Sequence, residues 1–237
     1  SEICLGDTVN INFQNTEAVI DGYHILTDDG RFDQCWTKKQ ARHTFLHSPG
    51  TYPVTAQIDY NGCITEQTHG TPITVKGAKA NIGYMINCGD PLNVMFNSKS
   101  IGADHVQWEI LDSMLIDTSF QYRFDSTSDY TIKLWAINTH DNCPADTTTQ
   151  EVFVRQIKAD FALPDEVCDT DAIQLDGSRS QDVNADCSKG YLWKYSYSRP
   201  IETVQPKRTT FIPAGDQSIQ LIVEDVNGCR DTIERKV

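Results

Sequence analysis

Cysteine is the residue type in this sequence with the clearest chemical potential, because a thiol can form a disulfide, bind a metal or act as a nucleophile. The chain has eight cysteines among its 237 residues. Six of them form three pairs whose members lie 55 to 61 residues apart: Cys4 with Cys63, Cys88 with Cys143, and Cys168 with Cys229. This regular spacing predicts one disulfide in each of three repeated modules, each stabilising by ~4 kcal/mol in the chain-entropy model. Free buried thiols are the alternative.

The other two cysteines, Cys35 and Cys187, have no counterparts in the other repeats. Three interpretations remain open for them. They are free or trapped thiols, they bridge to a neighbouring chain or domain, or they bridge to each other. A Cys35–Cys187 bridge would require the chain to fold back, since bridged Cα atoms lie within about 7 Å.

Two further groups of residues have the types that bind metals. His43 and His47 are four residues apart, but they bracket a strand end and a Pro-Gly turn, so their rings should diverge and no site is predicted there. Asp182, Asn184 and Asp186 place oxygens at alternate positions, like the first half of a calcium loop. They predict at most a weak calcium site, with a solvated acidic turn as the alternative, and no other cofactor is expected.

Signatures of catalysis are missing from the sequence. It contains no G-x-S-x-G, P-loop, H-E-x-x-H or C-x-x-C motif, so we expect a protein that is not an enzyme. The sequence has four tryptophans, a residue type whose ring can stack on a sugar. Trp135 shares a strand face with Lys133 and Ile137, which predicts an exposed ring and makes Trp135 the candidate ligand contact.

Composition restricts the class of partner. The net charge of −13 is spread evenly along the chain, so nucleic acids and anionic membranes are poor partners. No run of about 18 apolar residues is present to insert into a membrane. Eight cysteines favour an oxidising compartment, and we expect a piece of a longer secreted protein.

The strands that must carry these residues recur three times. An alternating run at 51–58 leads through Asn61-Gly62 to Cys63, and the runs at 128–138 and 214–225 lead to Cys143 and Cys229. The recurrence predicts an all-β protein of three tandem modules spanning 1–76, 77–157 and 158–237. The joins are short and not rich in Gly or Ser, which predicts a semi-rigid array.

The stretch 43–63, HTFLHSPGTYPVTAQIDYNGC, resembles the signature of the polycystic-kidney-disease (PKD) domain. The central aromatic residues Trp108 and Trp193 match the tryptophan of that family, which implies that both rings are buried in a core. The segment 175–182 resembles the family's leading D-x-S-x-S-x-D. The resemblance implies three immunoglobulin-like (PKD-type) β-sandwiches, of which the second is the most divergent.

The Asn-Gly-Cys sequence after the long strand resembles repeats of bacterial gliding-motility and cell-surface adhesins. That resemblance implies a non-catalytic segment at the bacterial cell surface, acting as a spacer and as a weak multivalent array that binds polysaccharide or a surface protein. The alternative is an accessory region of a secreted protease or glycanase that contacts the polymer substrate. Asp-Ser/Thr pairs such as Asp146-Thr147 and Asp231-Thr232 resemble an O-glycan acceptor pattern, with chance recurrence as the alternative.

Overall fold

Short runs of alternating residues, separated by Gly, Pro and Asn turns, form strands throughout the described part of the chain. The computed structural model describes residues 1–12, 22–27, 31–32, 40–60, 63–68, 72–163, 168, 172–184 and 190–237, and these residues contain strands and no helix. The strands are β1 (Glu2–Cys4), β2 (Thr8–Asn12), β3 (Gly22–Thr27), β4 (Arg31–Phe32), β5 (Gln40–Thr44), β6 (Gly50–Tyr52), β7 (Val54–Tyr60), β8 (Cys63–Thr68), β9 (Ile73–Lys76), β10 (Ile82–Ile86), β11 (Asn93–Ser98), β12 (His105–Ile110), β13 (Ser113–Leu115), β14 (Ser119–Arg123), β15 (Ser128–Ile137), β16 (Asp146–Val154), β17 (Ala172–Asp176), β18 (Tyr191–Tyr195), β19 (Ile201–Thr203), β20 (Lys207–Phe211), β21 (Ser218–Glu224) and β22 (Arg230–Lys236).

One four-stranded sheet is repeated three times with the same strand order. The orders are β4-β3-β7-β8, β13-β12-β15-β16 and β19-β18-β21-β22. Smaller sheets accompany each of them: β1-β9-β6 and β2-β5, then β10-β11-β14, then β17-β20. These sheets confirm the prediction of an all-β chain of tandem immunoglobulin-like sandwiches. The module boundaries at 76/77 and 157/158 stay a prediction.

Contacts divide the chain into two compact units. Unit 1 comprises 1–83, 96–120 and 131–150, and unit 2 comprises 84–95, 121–130 and 151–237. Each unit contains one of the two joins between predicted modules, at 76–81 and at 155–160.

The core of unit 1 includes the inner face of the β12–β15 pair. Strand β12 alternates, so that Trp108 is fully buried and lies opposite Leu134 of β15. The rings of Phe96 and Phe120 lie 5.9 and 5.4 Å from that of Trp108, and the indole Nε1 donates to the Asp117 carbonyl at 2.8 Å. Burial of this indole confirms its prediction as a core residue, and it satisfies its one polar atom.

The core of unit 2 has the same plan. Trp193 of β18 is fully buried, lies opposite Leu221 of β21, and meets the edge of the Phe161 ring at a centroid distance of 5.1 Å. Leu175 of β17 is also fully buried. Trp193 is therefore the core residue that the sequence predicts.

The predicted single strand at 51–58 is two strands, and this corrects the sequence interpretation. Residues up to Tyr52 pair with β9, whereas Val54 and those after it pair with β3 and β8 in another sheet. Pro53 stands between them. A proline has no backbone N–H to donate to a ladder, so the chain changes sheets at this position.

A tyrosine next to this change of sheet fixes the turn that precedes it. The Tyr52 hydroxyl donates to the Ser48 carbonyl at 2.7 Å, and Tyr130 donates to the Ser126 carbonyl at 2.8 Å. The same four-residue reach in two modules resembles the tyrosine corner of immunoglobulin-like domains.

Candidate functional site

The disulfides join different cysteines from those that the spacing predicts. Cys4 is bonded to Cys143 and Cys88 to Cys229, with Cα–Cα distances of 5.5 and 5.4 Å. The predicted pairings Cys4–Cys63, Cys88–Cys143 and Cys168–Cys229 are therefore wrong. Equal spacing reports the period of a repeat and not which two cysteines are neighbours. The observed separations of 139 and 141 residues are just as regular. Cys63 and Cys168 are free and exposed.

We call the Cys4–Cys143 bond clasp 1, and it lies within unit 1 against the first join. Gly77 has φ +99°, and a Cβ at this position would lie 3.1 Å from the Cβ of Cys143. The Gly77 N–H donates to the Asp141 carboxylate at 3.1 Å, and the Leu5 N–H donates to the Lys76 carbonyl at 2.8 Å. The join therefore needs a glycine both for its backbone conformation and for room beside the disulfide.

We call the Cys88–Cys229 bond clasp 2, and it lies within unit 2 against a turn built on a buried carboxylate. Oδ1 of Asp225 accepts the N–H groups of Asn227 at 2.8 Å and Cys229 at 2.9 Å. Asp225 is only 2% exposed. The Asn227 side chain donates to the Phe153 carbonyl at 2.7 Å, which ties the turn to strand β16.

An aspartate anchors the join in the same way in both units. The Ala80 N–H donates to the Asp146 carboxylate, and the Ala159 N–H donates to the Asp231 carboxylate, each at 2.8 Å. Lys79 adds an ion pair with Asp146 at 3.1 Å. These bonds give a structural reason for two of the recurring Asp-Thr pairs, because the carboxylate is needed to fix the join.

A serine holds the other side of each join. The N–H of Asn81 donates to Oγ of Ser100 at 3.2 Å, and the N–H of Asp160 donates to Oγ of Ser180 at 3.0 Å. Each join is therefore hydrogen-bonded from two sides, which stabilises its conformation.

The segment that resembles D-x-S-x-S-x-D forms hydrogen bonds within itself in the third module. Asp176 accepts bonds from the N–H and hydroxyl of Ser178, which lower the pKa of Asp176 from 3.8 to about 2, with Lys207 adding to the shift. In the predicted calcium loop, Asp182 accepts the Gln156 N–H at 3.3 Å. Asp186 lies outside the described residues. The described residues contain no cluster of three or more acidic, His or Cys side chains suited to a metal, and the calcium site stays a prediction.

Trp135 is half-buried on the outer face of the β12–β15 pair. It lies opposite Gln107, and the Lys133 ammonium sits 4.2 Å from the centroid of its ring. This cation–π contact occupies one face of the indole. A ligand that stacks on that face would displace the lysine. The role of Trp135 as a ligand contact stays a prediction.

Other candidates from the sequence are not brought together. His43 is buried with its ring 4.6 Å from that of Phe45, whereas His47 is exposed. Cys35 and Cys187 both lie outside the described residues. Within the described ranges no helix has the length and hydropathy to cross a membrane.

The sequence interpretation missed an exposed apolar hairpin tip in unit 1. Leu111, Met114 and Ile116 are 54%, 51% and 78% exposed, and Leu111 has φ +52°. A leucine in the left-handed region is a strained exception. Three apolar residues within six positions around a two-residue turn were the available signal.

Comparisons with known proteins find similar chains among solved structures alone. No protein-family model matches the chain, and no curated protein matches it. Among solved structures, the FN1-FN3 domains of chicken CNTN1 align over 98% of this chain and 94% of theirs, with 11% identity and a TM-score of 0.36. Extracellular domains 3-5 of Drosophila OTK align over 100% and 93%, with 9% identity and a TM-score of 0.34. The fold assignment rests on the sheets described above.

Proposed function

We propose that this chain is a non-catalytic segment of an extracellular protein, in which immunoglobulin-like modules are clasped by disulfides into a semi-rigid spacer. The observation that carries the proposal is the pairing of the cysteines. Each bond joins a cysteine of one predicted module to a cysteine of the next, at separations of 139 and 141 residues. Disulfides of this kind persist in oxidising, extracellular surroundings.

The two clasps overlap along the sequence, and this limits how far the chain can be stretched. Cys88 lies between Cys4 and Cys143, so the shortest covalent path from end to end runs through both bonds and only the segment 88–143 between them. That path contains roughly 70 residues, or about 240 Å when extended, whereas the reduced chain would reach about 850 Å. A spacer built in this way keeps its ends together even if its modules unfold.

In the finer form of the proposal, the segment belongs to a bacterial cell-surface adhesin. Its repeats present weak contacts to polysaccharide or to a surface protein, with Trp135 as one such contact. Repetition turns weak contacts into avidity. The support is the resemblance to adhesin repeats and the polar face around Trp135, which carries Gln107, Glu109 and Lys133.

Single-molecule stretching through tags at the two termini tests the spacer. We expect an extension of about 240 Å before reduction and about 850 Å after it. A Cys4→Ala/Cys143→Ala variant should extend to roughly 100 residues, or about 350 Å. The matched control is Cys63→Ala/Cys168→Ala, which should behave like the parent chain.

The proposal fails if the oxidised chain extends as far as the reduced one. Lengthening of the Cys63→Ala/Cys168→Ala variant would also contradict it, because bridges within single modules would then be the ones that hold the chain.

For the finer proposal, we expect Trp135→Ala to lose binding to a polysaccharide surface. Unchanged binding would show that Trp135 is not a ligand contact.

A further inference from the structure

Cys63 and Cys168 are free and exposed, although cysteines at equivalent places in the other modules are bonded. The cysteines are of two kinds, defined by their place in the fold. Every clasp joins the first kind in one module to the second kind in the next. Among the described residues, Cys63 and Cys168 are therefore the two cysteines of these kinds that have no bonded partner.

The second kind of cysteine lies in the last hairpin of each four-stranded sheet. Cys63 opens β8 after β7, Cys143 lies between β15 and β16, and Cys229 lies between β21 and β22. Two of these three are bonded, each to a cysteine of the predicted module that precedes it. Cys63 is the second kind of cysteine in the first module.

The sequence before Cys63 has the same pattern as the sequence of the turn that holds Cys229. Residues 59–63 read Asp-Tyr-Asn-Gly-Cys and residues 225–229 read Asp-Val-Asn-Gly-Cys. In the second of these turns the aspartate fixes the cysteine, and Asn227 reaches the carbonyl of Phe153 in the preceding module. The first module thus carries the sequence of a complete docking turn, with residues for both the covalent and the hydrogen-bonded contact.

The first kind of cysteine lies four or five residues before an early strand. Cys4 precedes β2, Cys88 precedes β11, and Cys168 precedes β17. Cys4 and Cys88 are each bonded to a cysteine of the predicted module that follows. Cys168 is the first kind of cysteine in the last module.

We infer that Cys63 and Cys168 are the contact points for two further modules of the same type, joined in tandem with these three. Cys168 takes the last-hairpin cysteine of a module that follows, and Cys63 takes the early cysteine of a module that precedes. This inference rests on the proposed spacer function and names its partner, an immunoglobulin-like module with a complementary cysteine.

Formation of such a clasp is an oxidation, and its balance is simple. Two thiols lose two protons and two electrons and form one S–S bond. The oxidant is a small or protein disulfide, whose own S–S bond is broken and reduced to two thiols by thiol–disulfide exchange. The thiols of Cys63 and Cys168 are both exposed, as that exchange requires.

A tandem fusion of two full chains tests the inference. The join segment 155–163 is inserted between them, so that the early cysteine of the second copy follows the last strand at the native spacing. The fusion is refolded in a glutathione buffer, free thiols are labelled, and a non-reducing peptide map is made. We expect Cys168 of the first copy to be bonded to Cys63 of the second copy in most molecules. Cys63 of the first copy and Cys168 of the second should carry the label.

A matched variant carries Cys63→Ala in the second copy alone, and there Cys168 of the first copy should become labelled. Suppose that Cys4–Cys143 and Cys88–Cys229 form in both copies while Cys168 of the first copy stays free. The inference is then wrong and the proposed function stands. If those two clasps themselves do not form, the proposed function is wrong. Bonds between Cys168 residues of separate fusion molecules would overturn the inference in favour of self-association.

Discussion

The two clasps use the same covalent bond in different surroundings. Clasp 1 lies against Gly77, whose missing side chain makes room for the disulfide, and its neighbouring carboxylate, Asp141, accepts one N–H from the join. Clasp 2 follows a turn whose carboxylate, Asp225, is buried and accepts two N–H groups of its own turn. The join thus forms the surroundings of clasp 1, whereas the turn that precedes Cys229 forms those of clasp 2.

The anchoring of the joins, by contrast, is the same in both units. Ala80 with Asp146 and Ala159 with Asp231 make one bond of equal length. The difference between the clasps therefore concerns how the cysteine is presented, and not how the neighbouring join is held. The turn that carries the second cysteine can therefore differ between modules, provided that its sulfur reaches the early cysteine of the preceding module.

Removing either disulfide should produce the largest effect on stability. The closed loops of 139 and 141 residues are nearly equal. In the chain-entropy model Cys4→Ala/Cys143→Ala and Cys88→Ala/Cys229→Ala should therefore each lower the free energy of unfolding by about 4–5 kcal/mol. Chemical denaturation measures this, with Cys63→Ala/Cys168→Ala as the unchanged control. A clearly unequal loss would show that the surroundings of the clasps, and not loop closure, set the stabilisation.

Removing the carboxylate beside each clasp should have the next largest effects on stability, and these effects should differ between the two clasps. Asp225→Ala leaves two N–H groups of a buried turn without their acceptor, and we expect a loss of about 3 kcal/mol. Asp141→Ala removes one longer bond at a half-buried site, and we expect about 1 kcal/mol. Denaturation curves for the two variants test this order. Equal losses would mean that the buried turn adds no stability of its own.

The two core tryptophans allow a comparison of the units away from the clasps. The Trp108 Nε1 donates to Asp117, whereas the Trp193 Nε1 finds no acceptor among the described residues. Trp→Phe should therefore cost about 1 kcal/mol more at 108 than at 193. The measurement is the free energy of unfolding of each variant. A greater cost at 193 would contradict the hydrogen-bond argument.

The smallest expected effect is a change in stability that depends on pH. The pKa of Asp176 is lowered from 3.8 to about 2 by the bonds from Ser178, so this carboxylate stabilises the fold above its ordinary pKa and the effect is lost as pH falls from about 4 to about 2. Ser178→Ala should lower the unfolding temperature slightly at pH 7 and not at pH 2. The control is Ser98→Ala, since Ser98 bonds to the hydroxyl of Ser100 rather than to a carboxylate. An effect of Ser178→Ala that does not change with pH would show that the stabilisation does not come from the Asp176 carboxylate.

Much of the fold could be predicted because it is local. Alternating residues predicted the strands, since successive side chains of a strand point to opposite faces. The resemblance to the PKD signature predicted that Trp108 and Trp193 are buried. The change of sheet at Pro53 could also have been predicted, because proline has no N–H to donate to a strand ladder. The apolar alternation on both sides of it hid the change of sheet.

The sequence by itself determined the all-β architecture, the three-fold recurrence of the cysteines and the two kinds of position that they occupy. Only the tertiary structure decided which cysteines are bonded. Eight cysteines allow 105 complete pairings, and a disulfide forms between those whose Cα atoms come within about 7 Å. That proximity depends on how one module meets the next, through contacts such as the bond from Asn227 to the Phe153 carbonyl. Spacing along the chain carries no record of those contacts.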